Sequence, residues 1–172
     1  TEVTVKILKT PEVIKAALIG FPSIEDAGNC VSQIIAKGCI PAGMEIMDKA
    51  LLKATNDFCK AGYPTDAEAM MIIEFDGSEF EVESHIKTAE KIAQENNSSS
   101  IKTSKSNEER LKFWSGRKAA FPACGDLAPD YLCMDGSIPR GKLAEVLKEI
   151  NNLSKKYKLP VANAFHAGDG NL

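Results

Sequence analysis

Several features that commonly reveal function are missing from this sequence of 172 residues. No apolar run approaches the roughly 20 residues that a helix needs to span a bilayer. The basic residues are scattered, and no stripe of lysine and arginine carries interleaved aromatic residues, so the sequence does not favour nucleic-acid binding. The phosphate-binding patterns GxGxxG after a strand and GxxxxGK[ST] are absent as well, and nothing marks a nucleotide-binding sheet.

Paired cysteines are also missing. The sequence has five cysteines, an odd number, and no two of them are spaced as CxxC. This pattern excludes an obvious disulfide framework or zinc knuckle. We therefore predict reduced cysteines, mostly buried, in a cytoplasmic protein. They are Cys30, Cys39, Cys59, Cys124 and Cys133.

What the sequence does contain is typical of a globular domain. Hydrophobic residues make up 44% and charged residues 26%, with a net charge of −3, values near those of ordinary folded proteins. The chain starts without Met in a strand-like alternation and stops at FHAGDGNL. We expect both ends to continue in a longer protein.

Hydrophobic periodicity predicts alternating strands and helices. Ser23 and Asp48 are expected to cap helices, Ser106 with Glu109 forms a capping box, and Pro122 is expected to end the fourth helix. The run AMMIIEF is apolar almost throughout, which is typical of a central strand. The predicted strands are 3–8, 16–19, 43–47, 69–75, a strand around residue 101, 129–136 and 160–166.

This order of elements predicts an α+β fold. Strand, helix and strand follow one another from Ala16 to Met47 and again from Ala69 to Thr103, as in a split βαβ unit. We expect a ferredoxin-like antiparallel sheet with helices packed on one face, and a doubly wound sheet is the alternative. Thr10 and Pro11 break the first strand in the manner of a linker.

The final motif, HAGDGN, is the most chemically suggestive stretch. Its glycines allow a sharp turn and close approach of a ligand to the backbone. His166 could bind a metal, act as a general acid or base, or simply end the sheet. Asp169 suits the turn itself.

Two other stretches could carry chemistry. In WSGRKAAFP, Arg117 could bind a carboxylate through its planar fork, or be a solvated arginine on a helix surface. In PAGMEIMDKAL, Glu45 and Asp48 could act as an acid–base pair, although helix capping accounts for Asp48.

Taken together, four segments resemble one known family. GRKAAFPA, APDYLCMDGSIPRGKL, VANAFHAGDGNL and PAGMEIMDKAL, with their spacing, resemble the C-terminal domain of FAD-linked oxidases of the glycolate oxidase type. D-lactate dehydrogenases are near relatives of that type. TEVTVKIL resembles the end of the FAD-binding domain that precedes it.

The resemblance implies a flavin-dependent enzyme that oxidises a 2-hydroxy acid to the 2-keto acid. Residues 1–10 would end the FAD-binding domain or form a linker, and residues 11–172 would form the cap domain, truncated at its C-terminus. FAD would be bound mainly by the preceding domain of the same polypeptide. Electron-transfer subunits are implied partners, through which the cytoplasmic enzyme could associate with the inner membrane.

The resemblance also implies roles for individual residues. Arg117 matches an arginine that contacts the substrate carboxylate, and Asn171 matches an active-site asparagine. His166 matches the first of two histidines that, in metal-using relatives, hold a divalent ion, and it is also a candidate for proton transfer. The second histidine and a later glutamate have no counterpart here, so we expect the chain to hold no metal tightly. We expect the isolated chain to be inactive, because it lacks the FAD-binding domain. Two other interpretations stay open: a free-standing ferredoxin-like module that binds a small molecule or metal without redox activity, and a structural interaction domain.

Overall fold

A computed structural model describes residues 1–7 and 9–172 of the chain. Short 3-10 turns at Cys124–Asp126 and Arg140–Lys142 flank an irregular segment between the last two helices. The helices and strands follow in the order β1 (Val13–Phe21), α1 (Ile24–Ala36), β2 (Gly43–Asp48), α2 (Lys49–Cys59), β3 (Ala69–Gly77), α3 (Glu79–Glu95), β4 (Ser100–Thr103), α4 (Asn107–Ala123), α5 (Leu143–Tyr157) and β5 (Ala164–His166).

The strands form one antiparallel sheet in the order β4-β1-β3-β2-β5. The first four have the arrangement of a ferredoxin-like split βαβ unit, in which α1 and α3 make the two crossovers. The fifth strand adds to the edge of β2, where His166 pairs with Glu45. The predicted α+β class and antiparallel sheet are therefore confirmed.

The expectation that helices pack on one face is wrong, because both faces of the sheet are covered. Alternate residues of β1 and β3 belong to two separate cores, as the period of two along a strand requires. Helices α1, α3 and α5 cover one core, while α2 and α4 cover the other. The run Ala69–Phe75 is apolar at both parities, so a layer on one face only would leave half of it exposed to water.

The three predicted helix caps are confirmed. Ser23 accepts a hydrogen bond from the Asp26 amide, and Asp48 accepts one from the Leu51 amide. Ser106 likewise accepts one from the Glu109 amide, which fixes the start of α4. The capping box predicted there is wrong, because the Glu109 carboxylate accepts from the Lys105 amide and not from the Ser106 amide. Helix α4 continues one residue past Pro122 before the chain tightens into a 3-10 turn.

Three predicted strands differ from the structure. Residues 3–7 form no strand, and Leu8 lies outside the described residues. Residues 129–136 are irregular and exposed, because their backbone meets another strand-like segment only from Gly136 onward, where Gly136 and Leu172 exchange two hydrogen bonds. The last strand is Ala164–His166 alone, the stretch that can reach β2.

The five cysteines are free thiols, as predicted. Only Cys30 and Cys39 are buried, however, so the expectation that most are buried is wrong. Burial raises the pKa of the Cys30 thiol to about 12, which keeps it protonated. Within residues 1–7 and 9–172, no helix has both the length and the apolar character that crossing a bilayer would demand.

Candidate functional site

Two glutamates interrupt the apolar strands on one face of the sheet. Glu45 lies on β2 and Glu74 lies on β3, opposite Gly43. Gly43 and Glu45 are two residues apart on β2 and therefore lie on the same face of the sheet. Because Glu74 is paired with Gly43, both carboxylates face the layer formed by α2 and α4. An ionised carboxylate in such a layer needs hydrogen-bonding partners.

Helix α4 supplies those partners. Arg110, Trp114 and Arg117 stand at positions i, i+4 and i+7 of the helix, a spacing that places them along one stripe. The stripe faces the two glutamates, so one helix carries the nitrogen donors and two strands carry the acceptors.

Glu74 is held entirely by this helix. Its Oε2 accepts a hydrogen bond of 2.8 Å from an Arg110 terminal nitrogen and one of 2.6 Å from Trp114 Nε1. The side chains of Arg110 and Glu74 are each 15% exposed. This is a well-shielded, charge-assisted cluster of the kind that fixes a helix on a sheet.

Glu45 has one partner on the helix and another on the edge strand. Its Oε2 accepts a hydrogen bond of 2.8 Å from Arg117 Nε, and its Oε1 lies 3.1 Å from His166 Nδ1. The exposed fraction rises from 14% for Glu45 to 27% for Arg117 and 38% for His166. One carboxylate therefore links two side chains that open towards solvent.

Two glycines let α4 approach the rest of the fold. A Cβ at Gly116 would lie 2.4–2.5 Å from the Tyr63 ring, and a Cβ at Gly43 would lie 3.1 Å from the Trp114 ring. The Tyr63 hydroxyl donates to the Phe113 carbonyl, and burial raises the pKa of that hydroxyl. Tyr63 thus occupies the space beside Gly116 and fixes the helix one residue from Arg117.

The glycine-rich turn after β5 has two distinct parts. Gly168 lies against the ring of His166, since a Cβ there would be 2.9 Å from Nε2. Asp169 Oδ1 accepts from the Asn171 amide at 3.0 Å, which confirms that Asp169 holds the turn. Of the two glycines, only Gly170 takes a positive φ, of 88°.

Asn171 points to another part of the chain. Its Nδ2 donates to Asp135 Oδ1 at 2.7 Å, and its backbone forms a bridge with Ser137. Among the described residues, none of its hydrogen bonds reaches Glu45, Arg117 or His166. The structure therefore unites two of the three predicted site residues.

A cleft of about 250 Å³ opens beside His166. It is smaller than the roughly 300–1,000 Å³ of pockets that hold drug-sized molecules, so it can take a small ion or part of a larger ligand. Arg117 does not line it, whereas Arg140 does. The lining residues are Ile35, Ile40, Pro41, Arg140, His166, Gly168 and Asp169.

A larger cleft, of about 420 Å³, lies between the starts of α1 and α2 and the side of α5. Its half-buried carboxylate, Asp48, is already engaged by the Leu51 amide and by the backbone and side chain of Asn163. Burial raises the pKa of Asp48. The partners explain this group as a helix cap that also ties down the segment before β5.

The described residues do not fit a complete metal site. Within residues 1–7 and 9–172, no group of three or more His, Cys, Asp or Glu side chains could hold a metal ion. His166 offers one ring nitrogen, and its nearest carboxylate, Glu45, is already shared with Arg117. The metal role of His166 stays a prediction.

The sequence did not reveal the contacts of two residues at this site, Glu45 and Arg140, or of Glu74 in the neighbouring cluster. Glu45 was weighed as half of an acid–base pair with Asp48, yet its partners are Arg117 and His166. Glu74 and Arg140 were not singled out. A lone glutamate within a buried strand was the available signal, because such a charge has to be paired.

Comparison with known proteins gives a consistent picture. Residues 10–172 match the family model described as FAD linked oxidases, C-terminal domain. Glycolate oxidase subunit GlcD of Escherichia coli (strain K12) is 48% identical over 172 residues, covering 100% of this chain and 34% of that protein. The corresponding subunit of Bacillus subtilis (strain 168) is 36% identical and is covered to 37%. A probable mitochondrial D-lactate dehydrogenase of Danio rerio is 27% identical over 176 residues, covering 100% of this chain and 35% of that protein.

Solved structures share the fold at low sequence identity. 4-Ethylphenol oxidase from Gulosibacter chungangensis, in its isoeugenol complex, superposes with a TM-score of 0.65 at 11% identity, covering 95% of this chain and 39% of that one. An alkyldihydroxyacetonephosphate synthase gives 0.62 at 15% identity, covering 91% and 34%. The chain thus spans about a third of the length of the curated relatives it matches.

Proposed function

Since the chain belongs to the family of FAD linked oxidases, C-terminal domain, we propose that it is the substrate-capping domain of a flavin-dependent enzyme that oxidises a 2-hydroxy acid to the 2-keto acid. Glycolate and D-lactate are the substrates we favour, because the relatives are named as a glycolate oxidase subunit and as D-lactate dehydrogenases. The activity belongs to the whole polypeptide, of which this chain would be one domain.

We place most of the FAD site outside this chain. The cleft beside His166, of about 250 Å³, is below the range of roughly 300–1,000 Å³ expected even for a drug-sized ligand, and a dinucleotide is larger still. Residues 1–10 would be the end of the preceding FAD-binding domain or a linker to it. Bound FAD supplies the acceptor for the substrate's hydride.

The residues of this chain would bind the substrate and move its proton. The Arg117 guanidinium would pair with the substrate carboxylate through two parallel N–H···O bonds. His166 Nε2 would accept the proton of the substrate hydroxyl, as a general base does. Asn171 would help to orient the substrate, which would require it to leave its contact with Asp135.

The observation that carries this proposal is the convergence of Arg117 and His166 on Glu45. Residues 49 positions apart in the sequence present a carboxylate-binding group and a proton acceptor side by side. The alternative for Arg117, a solvated arginine on a helix surface, would not place it against a carboxylate that is 14% exposed.

The test is reduction of bound flavin in the full-length protein under anaerobic conditions. We expect glycolate or D-lactate to bleach the flavin absorbance, and a simple carboxylate without the 2-hydroxyl group, such as acetate, to leave it unchanged. A full-length flavoprotein that no 2-hydroxy acid reduces would contradict the proposal. A chain that binds small carboxylates without any flavin chemistry would instead support the free-standing binding module.

A further inference from the structure

We propose that Glu45 is a positioning residue, which aims the Arg117 guanidinium at the substrate carboxylate and fixes the tautomer of the His166 ring. This inference rests on the proposed function and adds a residue to it. It depends on a contact pattern in which each oxygen of one carboxylate has a different partner: Oε2 with Arg117 and Oε1 with His166.

The contact with Arg117 leaves the useful end of that side chain free. Glu45 receives its hydrogen bond from Nε, at 2.8 Å. A guanidinium carries five N–H donors in a planar fork, so a partner on Nε leaves the two terminal nitrogens to grip a second carboxylate. Among the described residues, no hydrogen bond is made by those terminal nitrogens. Glu45 therefore fixes the plane of the fork without occupying it.

The contact with His166 selects a tautomer. An ionised carboxylate can only accept hydrogen bonds, so the nitrogen that faces Glu45 Oε1 at 3.1 Å must carry a hydrogen. In the neutral ring the proton then sits on Nδ1, and the lone pair is on Nε2. Carboxylates commonly orient metal-binding histidine rings in this way.

Gly168 keeps that lone pair accessible. A Cβ at this position would lie 2.9 Å from Nε2, a distance that would block approach from this side or push the ring off Glu45. Gly168 does not have a positive φ, so backbone conformation gives no reason for a glycine here. Access to Nε2 does.

Glu74 provides a matched control for Glu45. It lies on the same sheet face, is similarly shielded, and binds an α4 arginine at the same distance of 2.8 Å. Among the described residues, its side-chain hydrogen bonds and ion pair are made with Arg110 and Trp114, and not with Arg117 or His166. Substituting either glutamate with glutamine therefore removes a comparable charge from the same layer, and only one of the two changes involves the predicted site.

The first experiment compares Glu45→Gln with Glu74→Gln in the full-length flavoprotein. In Glu45→Gln, the amide oxygen would turn to the Arg117 Nε–H. The opposite orientation would place the amide NH₂ group, itself a donor, against that N–H. The amide NH₂ group would then face Nδ1 and move the ring proton to Nε2. We expect kcat for the 2-hydroxy acid to fall by about 10- to 100-fold, the usual effect of losing such a partner, with KM little changed. Glu74→Gln should leave both constants unchanged. Equal losses in the two variants would assign Glu45 a merely structural role.

The second experiment reads the ring directly and does not depend on turnover. In full-length protein carrying ¹⁵N-labelled histidine, with His166→Gln used for assignment, the neutral His166 ring should be protonated at Nδ1. The proton should be at Nε2 in Glu45→Gln. A wild-type ring protonated at Nε2, or a tautomer that does not respond to the substitution, would overturn the inference. Wild-type protein that has the expected tautomer but oxidises no 2-hydroxy acid would contradict the proposed function alone.

The third variant separates access to Nε2 from tautomer. Gly168→Ala should keep the proton on Nδ1 while lowering kcat by about 10-fold or more, because a Cβ 2.9 Å from Nε2 displaces a ligand from the required geometry. Gly125→Ala is the control, since a Cβ at Gly125 would meet nothing within 4 Å and should leave kcat as it is. Full activity in Gly168→Ala would exclude Nε2 as the group that acts on substrate.

Discussion

The two halves of the α4 interface each pair a strand glutamate with a helix arginine, but they differ in how far they open to solvent. Glu74 is hydrogen-bonded by Arg110 and Trp114, both from the helix, and the Arg110 side chain is only 15% exposed. Glu45 is bound by Arg117 from the helix and His166 from the edge strand, and exposure rises to 38% at the histidine. The first cluster is closed and saturated, while the second presents free donor and acceptor groups.

The difference follows from where each glutamate lies in the sheet. Glu74 belongs to β3, which has neighbours on both sides, so its cluster is sealed by α4. Glu45 belongs to β2, whose outer neighbour is the three-residue strand β5. A short edge strand can bring a histidine into the layer and still end at a turn open to solvent. In both places, removing one partner of the ion pair would leave a shielded charge unpaired, but only the pair near the edge can also meet a ligand.

The largest contrast should come from the two arginines. We expect Arg117→Ala in the full-length enzyme to lower kcat/KM for the 2-hydroxy acid by about 100-fold, since a charged hydrogen-bonding partner contributes about 1.5–3 kcal/mol. Arg110→Ala should leave kcat/KM unchanged and lower the free energy of unfolding by about 1–3 kcal/mol, because Glu74 would keep only Trp114. Steady-state kinetics and urea unfolding measure the two effects. Turnover that survives Arg117→Ala would remove this arginine from the substrate site.

The two glycines under the helix should differ in stability. Gly116→Ala drives a Cβ to 2.4–2.5 Å from the buried Tyr63 ring, and we expect a net loss of about 2 kcal/mol, since overpacking outweighs the better helix propensity of alanine. Gly43→Ala meets the Trp114 ring at 3.1 Å, a contact that a small ring shift relieves. Its cost should be nearly offset by the gain of about 0.4–1 kcal/mol from a stiffer unfolded chain.

Urea unfolding of both variants checks this order. Gly116 is next to Arg117, so Gly116→Ala should also raise KM for the 2-hydroxy acid, whereas Gly43→Ala should not. If Gly43→Ala proved the more damaging change, the packing of Trp114 on β2 would be the tighter of the two contacts, against the order of the two distances.

The success of the fold prediction has a clear physical basis. Caps at Ser23, Asp48 and Ser106 are set by a few consecutive residues, and so could be identified locally. The arrangement of helices on two faces was missed although the strand 69–75 carried the signal: its apolar residues occupy both parities, which requires cover on both sides. The irregular path of residues 129–136 depends on a distant partner, Leu172, which no local pattern reveals.

The candidate site was predictable in parts. Arg117 and His166 could each be selected by motif and chemistry, but the group that joins them could not, because Glu45 stands 72 positions from Arg117 and 121 from His166. Only the register of β2 with β5 and the docking of α4 bring the three together. Asn171 shows the converse, since its motif position did not predict its contact with Asp135.

No effect on turnover is expected from a change at Trp114, and this tests whether the two clusters are independent. Trp114→Phe removes the Nε1–H that donates to Glu74 at 2.6 Å and also the outer ring atoms that approach Gly43. Because Arg110 still pairs with Glu74, the free energy of unfolding should fall by about 1 kcal/mol for the lost hydrogen bond, with a further loss of about 1 kcal/mol from the smaller ring. Unfolding should be followed by circular dichroism and not by tryptophan fluorescence, because the substitution removes the one tryptophan in this sequence. Kinetics of the full-length enzyme should be unchanged. A fall in kcat comparable to that of Glu45→Gln would mean that loosening the closed cluster moves Arg117, and that α4 couples the two halves rather than holding them separately.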